Sequence, residues 1–391
     1  MKKKDYDLST RCVHAGEVGD AEGSPHTPIY NTTTFGFRST AELLDVVEGR
    51  RPGNLYTRYG LNPTIRSVEA KLASLENAES ALVFASGMAA EAALFFTHGR
   101  KGIVCLGNAY GGTLALLTDH LPLVGIPTFL LLGEEVGKLE EVLKQGPGLV
   151  FFETPTNPTM EIFDIREICR LSHSYGALVA VDNTFASPIN QQALALGADI
   201  AVHSATKYLG GHSDLTGGAL MGSKEHIEPV APWRKNLGQM MAPEVAALLS
   251  RSLRTLPIRV ERQNKTAQSV AEAMRNHPKV ARVLYPGLPG FPQHDLARSQ
   301  MSGFGGMLTL EIKGSGEDAT KVVDSLELII IAPSLGGPES LATQPMTTTH
   351  HGLTPEERLK RGITDSMIRF SIGMESAKDL IEDLNNALQN V

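Results

Sequence analysis

One segment of the sequence combines a lysine with two hydroxyl side chains at short spacing. Ser204 and Thr206 precede Lys207, directly after an apolar run that is typical of a buried strand. Hydroxyls two residues apart can both donate to a phosphate, while the lysine amine can form a Schiff base with a carbonyl carbon. A lone lysine in a polar loop is more often a solvated surface residue. Here small residues and glycines flank Lys207 and allow close approach of a ligand.

A second apolar run ends in an acid. Asp182 follows Leu178–Val181, and an acid at the end of a buried strand must be paired or coordinated. An ionised Asp182 that faces a pyridine nitrogen keeps it protonated, which makes the ring an electron sink. Taken alone, Asp182 is more often a cap or turn residue.

Three further strand ends carry groups that suit the same kind of ligand. Ser86, Gly87 and Met88 open a helix, whose backbone N–H groups and positive dipole end attract an anion. Tyr110 offers a ring that could stack on a planar cofactor, and Asn157 offers an amide for a ring substituent. Each group alone is more often structural, but five strand ends that suit one ligand jointly favour a single cofactor.

These positions require a sheet whose strands end at one edge. Near-continuous apolar strands separated by helices predict an α/β fold with a mostly parallel seven-stranded sheet, covered on both faces. Ligands of such sheets bind outside the carboxyl ends of the strands. The predicted strands are Ala81–Phe84, Ile103–Leu106, Thr128–Leu132, Leu149–Phe152, Leu178–Val181, Asp199–Val202 and Ala219–Met221. The helices predicted between them are Met88–Thr97, Leu139–Lys144, Ile165–Tyr175 and Asn190–Leu196.

The sequence predicts three regions. Residues 1–60 form an irregular arm rich in Gly, Pro, Thr and Arg, which is expected to contact a neighbouring subunit. Residues 61–256 form the cofactor-binding α/β domain, and residues 257–391 form a smaller α+β domain. The elements predicted in the last region are helices Arg259–Arg275 and Ala377–Leu388 and strands Met307–Ile312, Leu328–Ile331 and Ile368–Ser371.

Composition excludes several classes of function. The formal net charge is −7, which gives no support to a nucleic-acid or anionic-membrane surface. No apolar run is long enough to span a bilayer, and none follows the basic N-terminus. Cys12, Cys105 and Cys169 lack metal-ligand spacing, and Cys105 and Cys169 are expected to be inert core thiols. We therefore expect a cytoplasmic enzyme without a metal and without nucleic-acid or membrane partners.

The order of these motifs is similar to that of a known family. The chain resembles, from about Thr10 to its end, the cystathionine/methionine-metabolism family of fold-type I pyridoxal-phosphate enzymes. That family includes cystathionine γ-synthases, cystathionine β- and γ-lyases, methionine γ-lyases and O-acylhomoserine sulfhydrylases. The matching motifs are Tyr56-Thr57-Arg58, Asn62-Pro63-Thr64, Ser86-Gly87-Met88-Ala89, Tyr110-Gly111-Gly112-Thr113, Glu153-Thr154-Pro155-Thr156-Asn157-Pro158, Asp182-Asn183-Thr184, Ser204-Ala205-Thr206-Lys207-Tyr208, Ser334-Leu335-Gly336-Gly337 and Ile368-Arg369-Phe370-Ser371.

The resemblance implies a role for each matched residue. Lys207 would carry pyridoxal 5′-phosphate as a Schiff base and move protons, and Asp182 would hold the ring nitrogen. Tyr110 would stack on the ring and assist the leaving group. The other implied cofactor-binding residues are Gly87, Met88, Asn157, Thr184, Ser204 and Thr206, and the implied substrate-binding residues are Ser334 and Arg369.

The resemblance also implies an oligomer. Tyr56 and Arg58 would reach the cofactor phosphate of the neighbouring subunit, so that an active dimer pairs into a homotetramer. The chain departs from the family pattern in two places. Leu61 lengthens the spacing between the Tyr56 motif and Asn-Pro-Thr by one residue, and Gly112 stands where bacterial methionine γ-lyases commonly carry cysteine.

The expected reaction is γ-elimination or γ-replacement on a sulfur amino acid, with a cystathionine γ-lyase or γ-synthase as the best match. Methionine γ-lyase and O-acylhomoserine sulfhydrylase are the alternatives, and an aminotransferase on the same fold is less favoured. A non-catalytic cofactor-binding protein is disfavoured because Lys207, Asp182 and Arg369 are all present. The physiological substrate, β- against γ-specificity and lyase against synthase activity stay open.

Overall fold

The computed structural model describes residues 6–348 and 350–391. The first five residues of the predicted arm therefore lie outside the described residues. The strands are β1 (Ser80–Phe84), β2 (Ile103–Leu106), β3 (Thr128–Leu131), β4 (Leu149–Glu153), β5 (Leu178–Asp182), β6 (Ile200–Ser204), β7 (Gly218–Gly222), β8 (Val280–Leu284), β9 (Met307–Ile312), β10 (Ile330–Ile331), β11 (Leu341–Thr343) and β12 (Met367–Ser371).

The α-helices pack mainly against the faces of two sheets. They are α1 (Leu8–His14), α2 (Thr40–Val47), α3 (Pro63–Leu75), α4 (Gly87–His98), α5 (Gly111–Ala115), α6 (Leu139–Leu143), α7 (Ile165–Ser174), α8 (Ser187–Asn190), α9 (Lys224–Ile227), α10 (Ala231–Asn236), α11 (Pro243–Leu253), α12 (Leu256–Met274), α13 (His294–Gln300), α14 (Gly316–Asp324), α15 (Pro355–Lys360) and α16 (Ala377–Ala387).

The larger sheet has seven strands in the order β1-β7-β6-β5-β4-β2-β3. Strand β7 runs antiparallel to both of its neighbours, and the other neighbouring strands are parallel. Strands β2, β4 and β7 are buried along their whole length, as expected for a sheet covered on both faces. The predicted α/β architecture and its seven strands are confirmed. The carboxyl ends of β2, β4, β5 and β6 consequently meet at one edge.

The second sheet has five strands in the order β10-β11-β12-β9-β8 and is mostly antiparallel. Helices α12, α14 and α16 contribute to a core of buried aliphatic and aromatic side chains against it. The predicted strands at β9 and β12 and the predicted helices at α12 and α16 are confirmed. Strands β8 and β11 were not predicted. Half-exposed β8 lacks an apolar run, and β11 has only three residues.

The prediction of a helix over Asn190–Leu196 is wrong. Helix α8 ends at Asn190, and Gln191 is extended, with φ −147° and ψ 131°. The reason is the buried Gln191 side chain, whose Nε2 donates to the Thr154 carbonyl at 3.0 Å and to Asn183 Oδ1 at 2.9 Å. The Gln191 N–H still donates to the Ser187 carbonyl at 3.1 Å, but the side-chain bonds hold the chain extended from there, and a single 3₁₀ turn follows at Leu194–Leu196.

The N-terminal region is largely irregular and is anchored at its base by a buried lysine. The Lys71 amine donates to the carbonyls of Cys12 and Val13 at 3.0 and 3.2 Å and pairs with Glu17 at 3.1 Å. Further along, the extra residue Leu61 closes a loop, because its carbonyl accepts from the Leu55 N–H at 3.2 Å. The arm is attached to α3 at Lys71 and also through Ser67, which bonds the Thr27 hydroxyl at 2.7 Å, while much of its surface faces solvent.

The structure bears on two expectations drawn from the composition, namely the burial of the cysteines and the lack of a membrane-spanning run. Cys12, Cys105 and Cys169 are free and buried, and burial raises the pKa of Cys12 to about 11 and of Cys169 to about 12. This confirms the interpretation of Cys105 and Cys169 as core thiols. In the part of the chain that the structure describes, no helix is both long and apolar enough to cross a membrane.

Candidate active site

A cavity of about 710 Å³ opens at the carboxyl edge of the seven-stranded sheet. Groups that follow β1, β2, β4, β5 and β6 line it, as the strand pattern predicts, and five residues from the region of the second sheet complete it. Tyr56 and Arg58 do not line it. The predicted residues that the cavity brings together are Gly87, Met88, Tyr110, Asn157, Asp182, Thr184, Ser204, Thr206, Lys207, Ser334 and Arg369.

Lys207 lies three residues after the end of β6 and points its amine at the opposite wall. Its backbone N–H donates to the Ser204 carbonyl at 3.1 Å, and Lys207 Nζ donates to Ser334 Oγ at 2.9 Å. Burial, together with the positive charge of Arg369, lowers the pKa of Lys207 to about 8. A substantial fraction of this amine is therefore neutral near physiological pH, the state in which a lysine acts as nucleophile or base.

Arg369, on β12, is buried in the wall opposite the sheet edge. Its Nη1 donates to Asn157 Oδ1 and its Nη2 to the Ser334 carbonyl, both at 3.1 Å. Its buried Nε has no hydrogen-bond partner among the described residues. Burial lowers the pKa of Arg369 to about 10, so the side chain stays cationic at neutral pH. A buried cation with a spare donor suits an anionic ligand group such as a carboxylate.

Asp182 ends β5 at the deep end of the cavity. Thr184 holds it by donating its backbone N–H to Asp182 Oδ1 at 2.8 Å, while Thr184 Oγ1 accepts from the Ser204 N–H at 2.8 Å. Burial raises the pKa of Asp182, and the hydrogen bonds from Thr184 and the charge of His203 act in the opposite direction. A positively charged ligand group beside this carboxylate would stabilise its ionised form.

An anion cradle lies where helix α4 meets the end of β6. Ser86 caps the helix by accepting the Ala89 N–H at 3.1 Å, so that the positive end of the helix points into the cavity. A Cβ atom on Gly87 would stand 3.0 Å from the Ser204 Cβ, so glycine lets the helix start pack closely against Ser204. Thr206 Oγ1 accepts from the Gly217 N–H at 3.0 Å. Helix dipole and hydroxyls together suit a phosphate.

Two buried glutamates in the wall had no role in the sequence-based prediction. Glu153 Oε1 accepts the backbone N–H of Tyr110, and Glu91 Oε2 accepts the Thr113 hydroxyl at 2.6 Å. Burial raises the pKa of both, that of Glu91 to about 8. One feature of the sequence does single out Glu91, because it is the sole charged residue between Gly87 and Thr97.

Tyr56 and Arg58 lie outside the cavity of their own chain. Arg58 Nη1 donates to the Lys235 carbonyl at 2.8 Å, and its guanidinium lies 5.1 Å from the ring centroid of Tyr59. Tyr56 is exposed and stacks edge-on against Tyr59. Neither side chain contributes to the site that the single chain forms.

The donor set fits one cofactor. A lysine amine, a buried aspartate and a close-packed phosphate cradle at Gly87 complement the aldehyde, the ring nitrogen and the phosphate of pyridoxal phosphate. This site, at the carboxyl edge of a mostly parallel sheet, defines a pyridoxal-phosphate enzyme of fold type I. The chain belongs to the family described as Cys/Met metabolism PLP-dependent enzyme, whose model matches residues 9–389. It is therefore a pyridoxal-phosphate enzyme of sulfur amino-acid metabolism.

Named relatives support this placement. The chain is 43% identical to cystathionine gamma-synthase 1 of Arabidopsis thaliana, across 97% of this chain and 68% of that protein. It is 39% identical to the L-methionine gamma-lyase of Porphyromonas gingivalis, across the whole of both chains. Among solved structures, cystathionine gamma synthase of Xanthomonas oryzae in complex with cystathionine superimposes with a TM-score of 0.92 at 35% identity, covering 99% of each chain.

Proposed function

We propose that the protein catalyses γ-elimination or γ-replacement on sulfur amino acids of the homocysteine type, as a cystathionine γ-lyase or γ-synthase. The observation that carries the proposal is the convergence of Lys207, Tyr110 and Arg369 on one cavity. These groups provide a base, a phenol at the mouth and a carboxylate anchor. The names of the relatives agree with chemistry at the γ-carbon.

The cofactor would be held at three points. Backbone groups of Gly87 and Met88, with the hydroxyls of Ser204 and Thr206, would bind its phosphate. Asp182, fixed by Thr184, would pair with the ring nitrogen, and Asn157 would bond the ring hydroxyl. When bound, pyridoxal phosphate withdraws electrons from the α-carbon of an attached amino acid.

Arg369 and Ser334 would bind the α-carboxylate of the substrate. Arg369 is already held in place by Asn157 and by the Ser334 carbonyl, and its Nε remains available as a donor. A guanidinium fixed before the substrate arrives loses little conformational entropy on binding. The substrate would therefore present its α-carbon to the neighbouring Lys207 amine.

Lys207 would carry the protons of the reaction. Its Nζ would accept the α-proton and pass that proton on, and the neutral amine so restored would then accept a β-proton, after which the γ-substituent could leave. The hydroxyl of Ser334 bonds this Nζ at 2.9 Å and sets its direction. A pKa of about 8 lies close to physiological pH, where an amine can both accept and return protons.

Tyr110 would stack on the cofactor ring and protonate the departing γ-group. Its side chain is 49% exposed at the cavity mouth, and its backbone is fixed by Glu153. Gly112 lies close beside it, since an added Cβ would stand 2.7 Å from Tyr110 Cε1 and 3.1 Å from Met88 Sδ. A larger residue would move Tyr110. Because bacterial methionine γ-lyases commonly carry cysteine at this position, the glycine favours a cystathionine-type enzyme over the methionine γ-lyase alternative.

A substrate panel tests the proposal on purified holoenzyme. The panel contains L-cystathionine, L-methionine, and O-acetyl- and O-succinyl-homoserine with cysteine or sulfide. We expect 2-oxobutyrate and cysteine from cystathionine for a lyase, or thioether from an acylhomoserine and cysteine for a synthase. Methanethiol from methionine would identify a methionine γ-lyase, and replacement by sulfide an O-acylhomoserine sulfhydrylase. Pyruvate and homocysteine from cystathionine would contradict γ-chemistry.

We also propose the division into an arm of residues 1–60, a cofactor-binding domain of residues 61–256 and a C-terminal domain of residues 257–391. The proposed cofactor-binding residues of the cavity lie at the edge of the seven-stranded sheet, whereas Arg369 lies on the five-stranded sheet. The cytoplasm is the compartment that fits three buried free thiols.

A homotetramer of two active dimers completes the proposal. Tyr56 and Arg58 are absent from the cavity of their own chain, and the arm exposes apolar side chains that include Ile29, Tyr30 and Val47. Apolar surface on an irregular arm suits a subunit contact. Arg58 would then bind the phosphate in the neighbouring subunit.

Subunit mixing tests this arrangement. Arg58→Ala and Lys207→Ala homo-oligomers should both be poorly active. Dissociated and reassembled together, they should regain a fraction of wild-type activity, because each mixed dimer has one site with both residues intact. Light scattering should give the mass of four chains. Absence of recovery in verified mixed dimers would mean that Arg58 serves its own subunit.

A further inference from the structure

Two residues that face the cavity from neighbouring strands each have a buried neighbour that points away from it. Asp182 and Ser204 line the cavity, whereas Asn183 and His203, adjacent to them in the chain, are buried and do not line it. Successive residues of a strand point to opposite faces of the sheet. Strands β5 and β6 are paired, with Asp182 opposite Val202. A group that binds both Asn183 and His203 would therefore connect the two cavity-facing residues from behind.

One carboxyl oxygen of Glu76 makes this connection. Asn183 Nδ2 donates to Glu76 Oε1 at 3.0 Å, and His203 Nε2 lies 2.6 Å from the same oxygen. These three side chains are at most 1% exposed. The backbone N–H of Asn183 also donates to the Val202 carbonyl at 2.9 Å, so the two chains stay paired beyond the end of β5. The ends of both strands are thus tied to a single buried atom.

Helix formation does not explain a glutamate at position 76. Glu76 follows the last residue of α3, where the negative end of the helix dipole disfavours a carboxylate. Its second oxygen, Oε2, is buried and has no hydrogen-bond partner among the described residues. A buried polar atom without a partner destabilises the folded state. The residue is therefore explained by the tertiary contacts of its other oxygen.

Thr184 connects the same two strand ends on the cavity side. Its N–H donates to Asp182 Oδ1 and its Oγ1 accepts from the Ser204 N–H, both at 2.8 Å. Glu76 makes the second connection, from the other face of the sheet. With a connection on each face, the strand ends that carry Asp182 and Ser204 can neither separate nor twist without breaking a buried hydrogen bond.

We propose that Glu76 is a positioning residue that fixes Asp182 relative to Ser204, so that the ring nitrogen and the phosphate of the cofactor are bound at the same time. The inference rests on the proposed assignment of this cavity to pyridoxal phosphate. Two contacts to one rigid ligand reinforce each other only when their spacing matches that ligand. Loss of the Glu76 bonds would let the strand ends shift, and the two contacts would then compete.

The test compares pyridoxal phosphate with pyridoxal, which lacks the phosphate. Full-length protein is stripped of cofactor, and titration calorimetry gives the Kd of each ligand. The Kd of pyridoxal divided by that of pyridoxal phosphate measures how much the phosphate adds while the ring is in place. Partial unfolding weakens both ligands equally and leaves this ratio unchanged, whereas a change in spacing lowers it.

Two substitutions at Glu76 should give different ratios. Glu76→Ala removes the shared acceptor, and we expect the ratio to fall about tenfold below that of wild type. Glu76→Gln keeps a carbonyl oxygen that can accept from Asn183 and His203, so its ratio should stay within about twofold of wild type. Rescue by glutamine would show that the hydrogen bonds, rather than the negative charge, align the site.

Glu69→Ala is the matched control. Glu69 also lies on α3 and makes tertiary bonds, but it accepts the Val83 N–H at 3.1 Å and pairs with Arg234, neither of which lines the cavity. Its ratio should equal that of wild type. His203→Phe covers a failure of E76A to fold, since it removes one of the two bonds to Glu76 and should lower the ratio about threefold.

Three results would contradict these expectations. Equal ratios in wild type, E76A and H203F would overturn the proposal and leave the cofactor site intact. A ratio in E76Q as low as that in E76A would overturn the alignment by hydrogen bonds, because the acceptor is retained there. A ratio near one in wild type would instead contradict the assignment of the phosphate cradle itself.

Discussion

The two walls of the cavity differ in charge and in how the fold supplies them. The wall at the sheet edge carries buried acids, with Asp182 on β5 and Glu153 on β4. The opposite wall carries the buried cation Arg369 on β12. A bound cofactor and substrate would together carry a cationic ring and an anionic carboxylate. The ring would face the acidic wall, and the carboxylate would face Arg369. Lys207 lies between the walls. It belongs to the chain segment that follows β6 at the sheet edge, and its amine is hydrogen-bonded to Ser334 of the opposite wall.

The reactivity of Lys207 depends on both walls. The sheet edge buries the amine, and the opposite wall adds the charge of Arg369; both lower its pKa. The acids of the first wall suit the cofactor, and the cation of the second suits the substrate. Variants in the two walls should therefore separate cofactor binding from substrate binding.

The largest expected effect is that of Lys207→Ala. Loss of the amine would remove the proposed general base and covalent attachment, and we expect turnover of the best substrate to fall by at least ~10³-fold. The measurement is keto-acid release, with borohydride reduction followed by peptide mass analysis. Wild type should be modified at Lys207 and the variant should not.

Lys224→Ala is the control, since Lys224 is an exposed lysine at the start of α9. Its turnover should equal that of wild type. Turnover of K207A within tenfold of wild type would show that another group provides the base.

Arg369→Lys should separate the two walls. The lysine keeps a positive charge but loses the planar fork that bonds a carboxylate, Asn157 and the Ser334 carbonyl together. We expect kcat/KM to fall about 30- to 100-fold, mainly through KM, corresponding to about 2–3 kcal/mol. Cofactor affinity, measured by calorimetry, should change little.

Arg282→Lys is the matched control, because Arg282 is an exposed arginine on β8 that pairs with Glu311 at 3.0 Å. It should leave both constants unchanged. A loss of cofactor affinity larger than the loss of substrate affinity in R369K would place Arg369 functionally with the acidic wall.

The two walls also differ in how far the sequence predicts them. Asp182 and Lys207 follow short apolar runs that are typical of buried strands, and parallel strands bring their carboxyl ends together by topology. Arg369 was predicted only through the family resemblance. Its strand belongs to an antiparallel sheet, and no local pattern indicates that β12 packs against the end of β4.

The tertiary hydrogen bonds of Gln191 and Glu91 could not be predicted from the sequence. Gln191 reads as part of a helix, but its bonds to Thr154 and Asn183 extend the chain there. Glu91 lies among alanines that do not show which helix face is buried. In both cases the partner is distant in sequence, so that only the folded chain reveals it.

The pH dependence of the free energy of unfolding should report the lowered pKa of Lys207. Its pKa is about 8 in the folded protein against 10.5 for an unperturbed lysine, so the unfolded chain binds more protons between these values. The stability of cofactor-free wild type relative to Lys207→Met should therefore rise from about pH 8 to about pH 10.5. Melting temperatures of both proteins across this range measure the effect, and a constant difference would contradict the lowered pKa.

The smallest expected effect concerns the backbone at Ser334, where φ is 110°. L-residues rarely adopt this conformation, whereas glycine does so readily. Ser334→Gly and Ser334→Ala both remove the hydroxyl that bonds Lys207 Nζ, but only the glycine relieves the backbone. We expect S334G to be more stable than S334A by about 1 kcal/mol in denaturant unfolding, with similar reductions in turnover. Equal stabilities would show that the loop relaxes without strain, and unequal turnover would mean that the backbone, rather than the hydroxyl, directs Lys207.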